Sequence, residues 1–312
     1  MSNLSIFAGN SNPILADRIS QHLAKPLGKL KLNRFSDGEI QVEIHENVRQ
    51  NEIFLIQSTC NPVNENLVEL LLLIDAFKRS SASTITAVIP YFGYSRQDKK
   101  VAPRVPISAK LVADILEKTG VNRVITMDLH AGQIQGFFNC PVDNLYAAPI
   151  IIEDIKTRYP ENLVVVSPDA GGVERARAYA KRLHASLAII DKRRNAPNQA
   201  KAMAIIGEVE NKVTIILDDM VDTAGTITEA SNVVMKKGAK AVHAYCTHPV
   251  LSGPAIDRIN KSSLNSLVVT DTIPLLKDAE HCEKIRTLSV AKLFSEAIMR
   301  IYRGDSVNSL FV

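Results

Sequence analysis

Two adjacent aspartates, Asp218 and Asp219, stand at the end of an apolar run, Val213–Asp218, and a third acid opens the turn Asp222-Thr223-Ala224-Gly225-Thr226. The run reads as a buried strand and the residues after Thr226 as a helix. Ligands of open α/β sheets gather at the carboxyl ends of such strands. Backbone N–H groups at a helix start, with two threonine hydroxyls beside them, suit a terminal phosphate. The carboxylates just upstream can accept hydrogen bonds from the hydroxyls of a ribose. An ordinary strand, turn and helix, capped by Asp222 and Thr226, accounts for part of the pattern. It leaves two neighbouring acids at a strand end unexplained.

Four further blocks carry polar chemistry. Residues 90–100, PYFGYSRQDKK, run from an extended aromatic stretch into a basic cluster. Residues 126–138, TMDLHAGQIQGFF, place Asp128 and His130 after a strand-like run. Residues 166–177, VSPDAGGVERAR, set Asp169 in a Pro-Asp-x-Gly-Gly turn at a helix start. Residues 190–202, IDKRRNAPNQAKA, are polar, basic and without periodicity, and read as an exposed mobile loop. Taken alone, Lys192, Arg193 and Arg194 are an ordinary solvated basic surface. His243, His248 and the cysteines carry no pattern beyond a structural one.

The elements that must position these residues alternate along the chain. Ile53–Ser58, Thr84–Pro90, Val124–Asp128, Leu163–Ser167, Val213–Asp218 and Ala241–Cys246 read as buried strands. Glu65–Lys78, Ile107–Lys118, Val173–Leu183 and Thr226–Lys237 read as helices. Such alternation predicts an α/β fold whose mainly parallel sheets are covered on both faces. The length of 312 residues fits two domains, and the turn signals put the boundary near Tyr146–Pro149.

Composition narrows the function classes. Hydrophobic residues make up 46% and charged residues 22%, which is a globular balance. A net charge of +4, with no Trp, argues against a nucleic-acid partner while leaving local basic clusters for small anions. Cys60, Cys140, Cys246 and Cys282 lack any CxxC spacing, so neither a disulfide framework nor a thiolate zinc site is expected. The longest apolar run, Leu67–Phe77, is interrupted by Glu69 and Asp75 and is too short for a bilayer. With no visible signal segment at Met1–Gly9, a cytoplasmic location is expected. No GxxxxGK[ST] occurs, so the acid-ended strand is not part of a P-loop enzyme.

The segment LDDMVDTAGT resembles the ribose-phosphate-binding signature shared by phosphoribosyltransferases and ribose-phosphate pyrophosphokinases. SRQDKK, DLHAGQIQGFF, SPDAGG and RFSDGE at Arg34–Glu39 together resemble the second family, in its phosphate-activated hexameric class. The likeness runs from Phe7 to Phe311. It implies two tandem phosphoribosyltransferase-like α/β domains with parallel sheets, residues 1–146 and 147–295, with 296–312 returning to the first. It also implies a ribose-phosphate diphosphokinase that moves the diphosphoryl group of ATP to the 1-hydroxyl of ribose 5-phosphate, giving phosphoribosyl diphosphate and AMP for nucleotide biosynthesis. A phosphoribosyltransferase and a non-catalytic regulatory homologue are the rival readings.

Carried over position by position, the resemblance makes Arg96, Gln97 and His130 ATP contacts, with Asp37, Gly38 and Glu39 reaching the adenine of a neighbouring subunit's site. His130 and Asp169 would meet Mg²⁺, the histidine directly, through water or by way of a phosphate. Lys192 and Arg194 would be the catalytic pair, Arg194 also touching ribose 5-phosphate beside Asp218, Asp219, Asp222, Thr223, Ala224, Gly225 and Thr226. No residue stands out as general base. Phosphate and ADP are the implied effectors, at an anion site drawing on Arg49, Ser81, Arg104, Ser306 and Asn308. Asn308 departs from the family's second tail serine, and Pro103 precedes Arg104.

Overall fold

The computed structural model describes residues 3–193 and 202–311. The chain divides into two compact units. One comprises Met1–Tyr146, Thr272–Pro274 and Ser289–Val312; the other comprises Ala147–Asp271 and Leu275–Leu288. The first unit thus takes back Thr272–Pro274 and then the chain from Ser289, where sequence puts the return at 296–312.

The first unit begins β1 (Leu4–Ala8), α1 (Pro13–Leu23), β2 (Leu30–Arg34), β3 (Ile40–Ile44), β4 (Glu52–Ile56) and α2 (Val63–Arg79). It continues with β5 (Thr84–Ile89), α3 (Ser108–Thr119), β6 (Arg123–Met127), a 3-10 segment (Gly132–Phe137) and β7 (Val142–Leu145). Its sheet order is β1-β4-β5-β6-β7, all parallel, so each strand is laid beside its predecessor in one direction. The strands read as continuous apolar runs because both faces are covered: Ile53 to Ile56 are all buried. On one face Leu70, Leu73 and Phe77 of α2 and Val112 and Leu116 of α3 close the core. β2 and β3 form a separate antiparallel hairpin that packs against α2.

The second unit runs α4 (Ala148–Arg158), β8 (Leu163–Ser167), α5 (Val173–Leu183), β9 (Ser186–Arg193), β10 (Ala202–Ile206), β11 (Val213–Val221) and α6 (Gly225–Lys236). It then runs β12 (Ala241–Pro249), α7 (Ala255–Lys261), β13 (Ser266–Thr270), α8 (Lys277–Glu280) and β14 (Ile285–Leu288). After it, α9 (Ala291–Arg303) belongs to the first unit and packs on α1. The sheet order is β10-β9-β8-β11-β12-β13-β14. All neighbours are parallel except β9 and β10. From β8 the chain winds one way to β9, and from β11 the other way to β12, β13 and β14. The order therefore reverses between β8 and β11.

Three sequence expectations need correction. The stretch 190–202 is not all loop: Ile190 to Arg193 lie in β9 and Ala202 in β10, paired in register Arg193 with Ala202 and Lys192 with Met203. β9 starts on a continuous apolar run, Leu187–Ile190, and only its end, Asp191–Arg193, is charged, which makes that end read as loop from sequence. β11 continues past Asp218 to Val221, because Met220 and Val221 still pair with His248 and Pro249 of β12. Neither Asp222 nor Thr226 caps α6. Its N-cap is Ala224, in left-handed backbone at φ 59°, with no side-chain cap.

Candidate functional site

The reversal between β8 and β11 creates a crevice at their carboxyl ends, where α/β sheets bind ligands. Pairing of β8 with β11 stops at Val166–Ile216, so the last residues of β11 stand beyond their neighbour. Asp218 and Asp219 occupy that overhang. Asp219 is only 6% exposed, and its N–H donates to Asp218 Oδ1 at 2.9 Å. The Arg175 guanidinium, in the first turn of α5, donates to Asp219 Oδ1 at 3.1 Å and lies 4.0 Å from Asp218 Oδ1. Burial, reinforced by the charge of Asp219, pushes Asp218 up to about 7, with Arg175 pulling the other way. The same burial raises the neighbouring Cys246 thiol, which keeps it an inert filler.

The turn after β11 is held from outside. Ser252 donates its backbone N–H to Asp222 O at 3.0 Å and its hydroxyl to the Asp222 carboxylate. Arg258 of α7 donates to Thr223 O at 2.9 Å. Across the crevice, the turn after β8 is pinned by Asp169 Oδ1 accepting from Gly172 N at 3.1 Å and by Ser167 Oγ donating to Asp169 O at 2.7 Å. A Cβ at Gly172 would come within 2.9 Å of Ser167 Oγ, so the tight turn calls for glycine. Asp169 itself is exposed. Thus Asp169, Asp218, Asp219 and Asp222–Thr226, widely spaced in sequence, meet at one sheet end. Lys192 lies on β9, the strand beside β8; Arg194 lies outside the described residues.

The first unit carries the other candidates at strand ends of its own. His130 follows β6 and is exposed, while Asp128 before it is buried at φ 39°. That left-handed residue turns the chain, and Leu129 N is then caught by Asn144 Oδ1 at 3.1 Å. Gln133 donates to Asp98 Oδ2 at 2.7 Å, which ties the DLHAGQ block to the RQDKK block. In the latter, Arg96 and Gln97 are exposed, and Gln97 Oε1 accepts from Ser108 Oγ at 2.6 Å at the head of α3. Asp37, Gly38 and Glu39 form the exposed tip of the β2–β3 hairpin, where Asp37 Oδ1 accepts from Glu39 N at 3.1 Å. Gly38 adopts φ 98°, a conformation that favours glycine. Phe35 beside them is 52% exposed.

Of the five candidate anion-site residues, four meet in two separate pairs: Arg49 Nη1 donates to Ser81 Oγ at 3.2 Å. In the tail, Ser306 Oγ accepts from Asn308 N at 3.2 Å. Arg104 has left-handed backbone at φ 62°. His243 keeps its structural role, stacked 4.4 Å from Tyr159 and bonded to Ser266 Oγ at 2.8 Å. All four cysteines are free thiols. Among the described residues, no group of three or more His, Cys, Asp or Glu is gathered as a metal cage. No helix there is long and apolar enough to cross a membrane. Sequence reading missed Arg175, Ser252 and Arg258. A cation in the first turn of α5 was the available signal for Arg175, since helix dipoles disfavour it there.

The fold is that of an α/β protein whose switch-point crevice is lined by paired acids and a hydroxyl-bearing glycine turn. Residues 4–120 match the N-terminal domain of ribose phosphate pyrophosphokinase, and residues 193–312 match the phosphoribosyl synthetase-associated domain. The chain is 59% identical over 309 residues to a ribose-phosphate pyrophosphokinase of Ralstonia nicotianae, covering 99% of this chain and 98% of that one. It is 60% identical to the ribose-phosphate pyrophosphokinase of Burkholderia pseudomallei, covering 99% and 97%. The crystal structure of phosphoribosylpyrophosphate synthetase from Mycobacterium smegmatis superposes with a TM-score of 0.92 at 40% identity, covering 97% of this chain and 100% of that one. The chain belongs to the ribose-phosphate pyrophosphokinase family.

Proposed function

We propose that this chain makes phosphoribosyl diphosphate, attacking the β-phosphorus of ATP with the 1-hydroxyl of ribose 5-phosphate and releasing AMP. The observation that carries the reading is the acid pair and turn at the β8–β11 switch point. Backbone N–H groups and the Thr223 and Thr226 hydroxyls take the 5-phosphate, and Asp218 and Asp219 take the ring hydroxyls. In-line transfer asks for alignment and for cations around the phosphoryl oxygens. Lys192 supplies a point charge and Arg194 a planar fork for that purpose. Arg96, Gln97 and His130 hold ATP.

Relatives of this kind use a divalent metal, and the donors here fit Mg²⁺. Asp169 offers a hard, exposed carboxylate at the crevice, suited to an ion that keeps several waters and takes the rest of its ligands from phosphates. Bound there, Mg²⁺ neutralises phosphate charge. His130 is assigned to the same ion or to a phosphate beside it.

The exposed tip Asp37-Gly38-Glu39, with Phe35, supports a site completed by a second copy of the chain, which binds adenine from the neighbour. The assembly proposed is a hexamer in the cytoplasm, with phosphate and ADP as effectors at Arg49, Ser81, Arg104, Ser306 and Asn308. The direct test is AMP release from ATP and ribose 5-phosphate with Mg²⁺ and phosphate present and no base added. Absence of AMP sinks the reading. For the shared site, Asp37→Ala chains mixed with Lys192→Ala chains should regain activity through hybrid sites. No regain would restrict each site to one chain.

A further inference from the structure

We infer that Arg175 is a positioning residue for ribose 5-phosphate: from the head of α5 its guanidinium reaches across the β8–β11 crevice, holds Asp219, and so fixes how the acid pair meets the sugar. This rests on the sugar-phosphate reading of the crevice given above.

The geometry is specific. Arg175 is the third residue of α5, a place where the positive end of the helix repels a cation. Its neighbour Glu174 is the residue type that the helix start favours. An arginine kept there against the dipole needs an opposing attraction, and Asp219 at 3.1 Å provides it. The same nitrogen stands 4.0 Å from Asp218 Oδ1. One cation thus addresses both acids, from the opposite lip of the switch-point crevice.

The chemistry follows from charge. Two adjacent, largely buried carboxylates would repel each other and a sugar phosphate as well. Neutralising one of them lets the pair accept hydroxyl hydrogen bonds without opposing the incoming phosphate. Because α5 begins directly after the Asp169 turn, a bond from its first turn to β11 also fixes the distance between the two lips. The Arg175–Asp219 bond is therefore a strut between the diphosphate side and the ribose side of the site. An ion pair of this burial, kept only for stability, would leave the two substrates' affinities unaffected relative to one another.

The test is steady-state kinetics of the full chain with each substrate varied, joined to calorimetric binding of ribose 5-phosphate. Arg175→Ala is expected to raise KM for ribose 5-phosphate at least tenfold while KM for ATP moves less than twofold. Arg175→Lys, which keeps the charge and loses the planar fork, should fall between. In Arg175→Ala with Asp219→Asn, the loss should be smaller than the sum of the two single losses, because the two side chains share a contact. An unchanged KM for ribose 5-phosphate in Arg175→Lys and Arg175→Ala, or equal rises for both substrates, overturns the inference. If Arg175→Ala does not fold, Arg175→Lys decides alone by the same criterion. Should the wild-type chain release no AMP, the activity reading falls, while calorimetry still decides about Arg175: unchanged ribose 5-phosphate affinity in the variant overturns it.

Discussion

The two units are built from the same strand–helix alternation, yet among the described residues only the second unit's sheet reverses its strand order. In the first, β1, β4, β5, β6 and β7 are laid down in one direction, so no reversal opens a crevice. In the second, the order reverses between β8 and β11. The buried acids show the difference. Glu69 of α2, 4% exposed, accepts from Asn10 N at 2.7 Å, Asn10 Nδ2 at 2.8 Å and Gln57 Nε2 at 2.8 Å. These bonds tie α2 to the carboxyl end of β1, where a Cβ on Gly9 would sit 2.8 Å from Glu69 Oε1. Asp218 and Asp219 share Arg175 at the carboxyl end of β11, where the strand order reverses. A buried carboxylate wrapped by amide donors within one packed unit is structure; a carboxylate pair at a strand-order reversal is placed for chemistry.

The largest expected effect separates the units by turnover. Lys192→Ala and Arg194→Ala should each lower the rate on the order of a hundredfold, as loss of a transition-state charge contact does. Folding stability should stay within about 0.5 kcal/mol. Wild-type turnover in either variant would remove that residue from the chemistry.

Next comes stability. Glu69→Ala leaves buried donors unpaired and should cost about 1–3 kcal/mol in urea unfolding. Asp219→Asn, by contrast, should weaken ribose 5-phosphate with little loss of stability. If the two variants behave alike, the two kinds of acid do not differ.

A smaller effect lies in pH. Asp218, pushed up to about 7 by burial and by Asp219, has its folded pKa above the unfolded value of about 3.9. Between those values the folded chain holds the extra proton, so stability should fall as pH rises from about 4 to about 7 and then level off. Asp218→Asn should flatten that segment in a series of melts across pH. A stability that rises through this range in wild type alone would reverse the assignment. The smallest expected effect is regulatory: Asn308→Ser should lower the phosphate midpoint for activation a few-fold, because serine presents no carbonyl oxygen to the anion. A midpoint that stays put or rises discards Asn308 as a determinant of affinity.

Much of this was legible in the residues. Leu163–Ser167 and Val173–Leu183 match β8 and α5 to the residue, because both are uninterrupted runs of one period between turn residues. The acids Asp218 and Asp219 announce themselves as polar residues closing an apolar run. What stayed hidden depends on distant pairing. The continuation of β11 to Val221 is dictated by β12, and the end of β9 is disguised by the charges of Asp191–Arg193. Arg175 and Arg258 are ordinary helix arginines until the topology places Asp219 and Thr223 beside them.

One feature of the chain path bears on biosynthesis. α9 packs on α1, and its buried Leu293, Phe294, Ala297 and Ile298 belong to the first unit although the whole second unit is encoded between them. During translation the second unit therefore emerges complete while the first still lacks a helix, so the ribose-side sheet can form before the first unit does. Ribosome-bound chains halted before Ser289 should present the uncovered α1 face to chaperones, and chains released past Arg303 should not.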